Sequence, residues 1–348
     1  GISREELQLA ARNHGMPLEA LRYDITPAGL HYLLIHYDIP DVDPRSWRLE
    51  VGGNVGAAVE LSLEDLRARP RVSLAVTLEC AGNGRALYEP RPVSQPWLLE
   101  AVGNAEWTGT PLRGVLEEAG IGTGSVEVAF AGADHGVEGE VEQDYERALP
   151  LADALGGDVL LADEMNGAPL LPQHGAPLRL IVPGWYGMTH VKWLRRVTVL
   201  AEPFQGYQNV RGYRMRATQD EPGESITRIH VRSLMLPPGI PEFMTRKRFV
   251  QAGRCPLEGR AWSGSGSIER VEVSDDRGAT WADARLGTLP DSPYAWRRWS
   301  FEWDALPGEQ ELCSRATDAK GETQPLVPEW NVGGYGNNAV QRVHVLVR

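Results

Sequence analysis

The chain has 348 residues, room for roughly two domains of ~150 residues that can each bury a core. Its 35 Lys plus Arg against 47 Asp plus Glu leave a formal charge of −12, which argues against a nucleic-acid backbone as partner. No run approaches the ~20 apolar residues of a membrane span, and Cys80, Cys255 and Cys313 are too few and too scattered for a disulfide framework or a four-thiolate zinc site.

The opening GISREELQLAARNH is charged and lacks a signal-peptide core, so a soluble chain is expected, with the cytoplasm favoured over export. HYLLIHYDIP (31–40) reads as a strand carrying His31 and His36, and LEDLRAR (63–69) as a helix. The apolar strand SLAVTL (73–78) runs straight into Cys80-Ala-Gly-Asn-Gly-Arg85. LRGVLEEAG (112–120) is a helix closed by Gly120, and GIGTGS (120–125) is no phosphate loop because it follows a helix and lacks Lys-Ser/Thr. VEVAF (126–130) is a strand leading into GADHG (132–136), a loop holding Asp134 and His135. LRLIVP (178–183) is another strand, inside a Gly- and Pro-rich stretch that gathers His174, Arg179, His190 and Lys192, as loops around an anionic ligand would.

Near residue 215 the texture changes from mixed α and β to a period of two, seen at Val271 and Val273, at Trp299, Phe301 and Trp303, and at Val343, Val345 and Val347. DDRG, LPG and DAKG supply the turns. The pattern predicts two domains, 1–215 and 216–348, the second an all-β sandwich of immunoglobulin type with its Trp residues in the core and PPGIPEF (237–243) as a rigid, irregular lead-in.

The chemistry-bearing signal is Cys80. A thiol at a strand end, followed by glycines that let the backbone approach closely, can present sulfur to a bound group, and a nearby Arg85 favours its thiolate. The same residue also reads as a packed free cysteine, as a hydrolase nucleophile with His36 or His174 as base, or as part of a vestigial domain in a binding protein. HExxH, CxxC and the serine-nucleophile elbow are all missing.

TLECAGNGR (77–85), EMNG (164–167), HG-x-PLR (174–179) and VKWL (191–194), in that order, resemble the sulfite oxidase family of molybdenum–pterin enzymes; SIERVEVSDDRGATWADAR (267–285) and EWNVGGYGNNAVQRVHV near the end resemble its C-terminal domain. The resemblance implies an α+β protein, a mixed α/β molybdopterin-binding domain followed by an immunoglobulin-like dimerisation domain. It implies molybdenum and molybdopterin as cofactors, Cys80 as the metal's thiolate ligand, and oxygen-atom transfer that oxidises sulfite to sulfate. Tyr32, His36, Asp134, His174, Arg179, His190 and Lys192 then match pterin contacts, with Lys192 and Arg179 at its phosphate. Arg85 and Trp97 match residues beside the substrate, and Tyr213 matches a tyrosine facing the metal, with Tyr207 as the alternative. A homodimer is the implied assembly. With no haem domain expected in this length, electrons pass to an external acceptor, and the acidic surface favours a basic one such as a c-type cytochrome.

Two departures stand out. Leu34-Ile35-His36 occupies a place where the family commonly has Arg-Asn-His, and Trp330-Asn331 is followed by Val-Gly-Gly where an Arg is common. Each charged hydrogen bond lost from a dianion site costs about 1.5–3 kcal/mol. Unless His31, Arg211 or Arg214 moves in, an S-oxide, N-oxide or nitrate suits such a pocket better than sulfite.

Overall fold

The computed structural model describes residues 1–348. Helix α1 (Arg4–Arg12) begins at a capping box between Ser3 and Glu6, and α2 (Leu63–Arg67) at one between Ser62 and Asp65. In α3 (Leu112–Ala119) the buried Leu112, Val115, Leu116 and Ala119 fall on one face, and Gly120 ends the helix at φ 74°, as its sequence predicts. A fourth, one-turn helix, α4 (Leu151–Ala154), follows.

The strands of the first half are β1 (Leu49–Gly53), β2 (Val59–Leu61), β3 (Val72–Glu79), β4 (Val102–Pro111), β5 (Glu127–Glu138), β6 (Val141–Pro150), β7 (Leu160–Met165), β8 (Ala168–Pro169), β9 (Arg179–Ile181) and β10 (Leu194–Leu200). They form two sheets, ordered β2-β1-β10-β5-β6 and β3-β4-β7-β8, with β9 on β7. Leu49, Val128, Phe130 and Val197 of the first sheet share a core with Leu116 of α3 and with Leu161 and Leu180 of the second sheet. Removing that apolar surface from water is what holds the sheets together.

Two local features aim side chains inward. Strand β3 is exposed at its start and buried over its last four residues, so it releases the chain at Cys80 in the interior. On β5, the register against β6 shifts between Ala131 and His135; the bulge turns Asp134 inward and leaves His135 outside, ion-paired to Glu142 and Asp144. The 132–136 stretch is therefore bulged strand and not the loop that its Gly and Asp suggested. Residues 31–40 are likewise not a strand: they join no sheet and make only one isolated bridge, Leu33 to His14, because Asn13 and Lys192 take up backbone groups at Ile35 and Leu34.

A small ribbon, β11 (Arg214–Met215) with β12 (Glu224–Ser225), leads to the second half. There β13 (Arg232–Met235), β14 (Ile240–Pro241), β15 (Arg248–Val250), β16 (Gly253–Trp262), β17 (Ile268–Ser274), β18 (Ala282–Asp283), β19 (Arg285–Leu286), β20 (Arg297–Ala305), β21 (Gly308–Asp318) and β22 (Gln341–Val347) build a sandwich of a four-stranded and a six-stranded sheet. Val271, Val273, Trp299, Trp303, Val343, Val345 and Val347 meet in its core, while Phe301 is only partly buried. PPGIPEF is less irregular than expected, since Ile240–Pro241 pairs with β15.

The tryptophans divide differently from the expectation. Trp299 and Trp303 are sandwich core, but Trp262 and Trp296 lie in a separate cluster between the halves with Met16, Leu21, Ala81 and Tyr186. Trp281 is only partly buried, beneath Arg315, and Trp330 is exposed. An indole buries much area yet needs a partner for its N–H, and the seam supplies one: Trp262 donates to Glu79 at 2.8 Å and Trp296 to the Asp24 carbonyl at 2.8 Å.

Candidate functional site

Where β3 ends, a cleft opens between the two sheets of the first half. Its lining is gathered from distant places in the chain: His31, Tyr32, Leu34 and His36 from the irregular stretch, Cys80, Asp134 from the β5 bulge, Tyr145 from β6, His174 from a 3₁₀ turn, and Arg179 from β9; Gly187, Met188 and His190 follow from a second turn, then Lys192 and Tyr213. The missing side chain at Gly187 makes room here, because a Cβ there would sit 2.4 Å from the Tyr32 hydroxyl and 3.1 Å from the Glu79 carbonyl, and the tyrosine would have to shift. Seven of the predicted cofactor-binding residues and Cys80 thus converge on one space.

Arg85 and Trp97 do not line that cleft; they flank Cys80 from another side. Both are buried. Arg85 donates to the carbonyls of Gly333 at 2.9 Å and Gln95 at 3.2 Å and lies 5.0 Å over the Tyr335 ring. The Trp97 indole N–H has no protein acceptor. Of the two tyrosines, Tyr213 borders the cleft and shares a hydrogen bond with Nε2 of His36, whereas Tyr207 lies against Gly139 of the β5–β6 turn. Arg211 is exposed, and Arg214 is tied to the carbonyls of Pro222, Asn209 and Gly223, so neither supplies charge here.

Burial sets the protonation of the site. The Cys80 thiol is pushed up by burial, and Arg85 beside it only partly offsets this, so the positive neighbour alone does not make a thiolate as its sequence position suggested. His36 and His174 are lowered to about 3 and His31 to about 4, burial being the first cause in each, so all three are neutral. His190 is neutral too, and both its ring nitrogens are already used: Nδ1 accepts the Val182 N–H at 3.1 Å and Nε2 meets the Trp185 carbonyl at 2.9 Å. It offers the cleft no free nitrogen, and its carbonyl instead holds Arg179.

The cations are the informative groups. Arg179 donates only to the carbonyls of His174 and His190, at 3.0 and 3.3 Å, and Lys192 only to those of Leu34 and Gln173, at 2.7 and 3.4 Å; neither has a carboxylate partner. His31 Nε2, Asp134 Oδ1 and Arg179 Nε are buried and unpartnered. A cleft with one buried and one half-buried cation and several unmet polar atoms is short of an anionic, heteroatom-rich guest. The protein presents no cluster of three His, Cys, Asp or Glu able to hold a metal unaided. A single soft sulfur beside such a cleft fits a metal that arrives on its own phosphorylated organic ligand, as a molybdenum–pterin does.

One consequence is measurable. Burial, and Arg179 after it, hold the Lys192 ammonium down to about 7, while burial raises Asp134 to about 7. A bound phosphate favours the charged lysine, so at pH 8 metal-free protein should take up a proton on binding inorganic phosphate. Below pH 6 the lysine is already protonated and the uptake should vanish. Calorimetry in buffers of different ionisation heat reads this directly; Lys192→Met should remove the lysine's share of the uptake, leaving that of Asp134, and weaken binding by about 10–100-fold, the worth of one charged hydrogen bond.

Sequence reasoning missed Tyr335, Tyr145 and Arg147. Tyr145 stacks on His36 with ring centroids 4.6 Å apart, and Tyr335 lies 5.4 Å from Tyr213. No spacing connects positions 36, 145, 213 and 335; Arg147, interrupting the apolar face of β6 at a buried position, was the one signal available.

Comparison with known proteins agrees with this geometry. Residues 36–208 match the oxidoreductase molybdopterin binding domain, and residues 223–348 the Mo-co oxidoreductase dimerisation domain. The chain is 36% identical over 345 residues to mitochondrial sulfite oxidase of Homo sapiens, covering 93% of this chain and 62% of that one. To sulfite oxidase of Gallus gallus it is 36% identical over 340 residues, 91% of this chain and 72% of that one. Among solved structures it is similar to the sulfane dehydrogenase SoxCD from Paracoccus pantotrophus, with a TM-score of 0.82 and 28% identity over 94% of this chain and 82% of that one. The chain thus spans about three fifths of the human protein's length.

Proposed function

This chain belongs to the sulfite oxidase family of molybdenum–molybdopterin oxidoreductases, and on that premise we propose that it oxidises sulfite to sulfate and passes the two electrons to an external acceptor. The observation that carries the reading is the buried thiol at the end of β3, opening on a cleft whose two cations lack carboxylates. When bound, the molybdenum–pterin group supplies the two-electron redox couple and oxygen-atom transfer.

The chain's own residues position and bind. Cys80 is proposed as the metal ligand, and Arg179 and Lys192 as the partners of the pterin phosphate. Tyr32, His36, Asp134 and His174 meet the rest of the pterin through their polar atoms, and His190 acts through the Arg179 it holds. Arg85 and Trp97 flank an incoming oxyanion, and Tyr213, hydrogen-bonded to neutral His36, presents its hydroxyl there. Residues 1–215 are proposed as the catalytic domain and 216–348 as the domain joining two copies, a pairing that a sedimentation mass decides. An acidic chain at −12 suits a basic electron carrier such as a c-type cytochrome.

The test is sulfite-dependent reduction of ferricyanide by protein shown to hold molybdenum, with saturation recorded. Saturable turnover is expected. Molybdenum-loaded protein that leaves sulfite untouched while reducing an S-oxide, an N-oxide or nitrate would establish the second reading, which rests on the apolar Leu34 in the cleft lining.

A further inference from the structure

Residue 34 in the cleft lining is an apolar leucine, yet a dianion needs positive charge around it. The structure places one unassigned cation beside it. Arg147, on β6, is 2% exposed, and its guanidinium stands over the Tyr213 ring, Cζ 5.7 Å from the centroid. Its hydrogen-bond partner in the chain is the Gln208 carbonyl; Nε has none, and no carboxylate is among the charged groups that act on it. The groups around it are Tyr145, Tyr213 and Tyr335, with Arg214 further off, while the nearby Glu138 is engaged by Gln208 and Tyr37. Tyr213 in turn lies 5.4 Å from Tyr335, which carries Arg85 on its own face at 5.0 Å. Two guanidiniums therefore bracket a tyrosine pair at the edge of the cleft.

We infer that Arg147 is the positioning residue that gives this pocket its affinity for an oxyanion: stacked on Tyr213, it polarises that ring and its hydroxyl toward negative oxygen, where the lining at residue 34 offers only a leucine. A cation over an aromatic face both fixes the ring and draws on its quadrupole. A buried guanidinium without a counter-charge is expensive to keep, and a bound dianion is the partner that repays it. The inference rests on the oxyanion-oxidising reading above, but its test does not depend on turnover alone.

In molybdenum-loaded protein, Arg147→Gln is expected to raise the KM for sulfite and the calorimetric Kd for sulfate together, by about 10–100-fold, with kcat changing less than threefold. Arg147→Lys should recover part of both constants, and adding Leu34→Arg to Arg147→Gln should restore sulfate affinity, which a merely structural role would not allow. The inference is overturned if folded, metal-loaded Arg147→Gln keeps both constants within twofold of the parent. It is equally overturned if Leu34→Arg restores nothing, or if the Gln and Lys variants both fail to fold. Should the parent protein bind sulfate and not turn over sulfite, the proposed substrate fails while the sulfate constants still decide the role of Arg147.

Discussion

Replacing Cys80 with serine is expected to lower sulfite-dependent turnover by more than a hundredfold while the pterin site stays intact. Changes in groups that only support a metal ligand already cost about 10–100-fold, and loss of the ligand itself exceeds that. Serine is isosteric enough to sit at the end of β3, but a hydroxyl at neutral pH is neither a soft nor an anionic donor. The residues proposed to hold the pterin phosphate, Arg179 and Lys192, are anchored by carbonyls of Leu34, Gln173, His174 and His190, none of which depends on residue 80. Pterin content should therefore be retained, and metal content and ferricyanide reduction should fall. Full turnover with molybdenum bound in Cys80→Ser would remove the ligand assignment.

Glu79→Gln is expected to destabilise the protein by about 3–5 kcal/mol, seen as a melting midpoint lower by roughly 10 °C. Glu79 and Arg232 form an ion pair across the two halves, with side chains 2% and 1% exposed. The carboxylate also accepts the indole N–H of Trp262 at 2.8 Å and the amide of Asn83 at 2.9 Å, so it is fully engaged where Arg232 is not. Neutralising it leaves a guanidinium buried without a counter-charge, with Nε and Nη2 already unpartnered. Replacing both members, Glu79→Leu with Arg232→Met, should recover part of the loss and not all of it, because Trp262 and Asn83 then lose their acceptor. Because residue 79 precedes Cys80, activity in the single variant should also fall at temperatures where the fold persists. A denaturation midpoint unchanged in Glu79→Gln would show that the pair contributes nothing.

How far the site could be read from sequence differs from residue to residue. Cys80, His174, Arg179 and Lys192 sit in short runs whose order along the chain already resembled one family, and all four meet at the cleft. His36 could be a packed histidine or a ligand by its pattern, and its place on the cleft, between Tyr145 and Tyr213, is visible only in the tertiary structure. The supposed strand at 31–40 failed because apolar alternation cannot tell whether a neighbouring strand exists; here side chains of Asn13 and Lys192 meet backbone groups that a ladder would have used. The GADHG stretch failed for the opposite reason, since Gly and Asp mark a bulge as readily as a turn.

The sequence by itself determined the two-part organisation, the strand that ends in Cys80, the helix closed by Gly120 and the period-two sandwich, because these follow from local spacing of apolar, capping and turn residues. Tertiary structure alone decided which cations lack a counter-charge, which histidines have a free nitrogen, that Trp262 and Glu79 close the seam between the halves, and that Arg147 stands over Tyr213. Those facts depend on distances between segments up to about two hundred residues apart, and burial, which sets the protonation of each group, is a property of the packed whole.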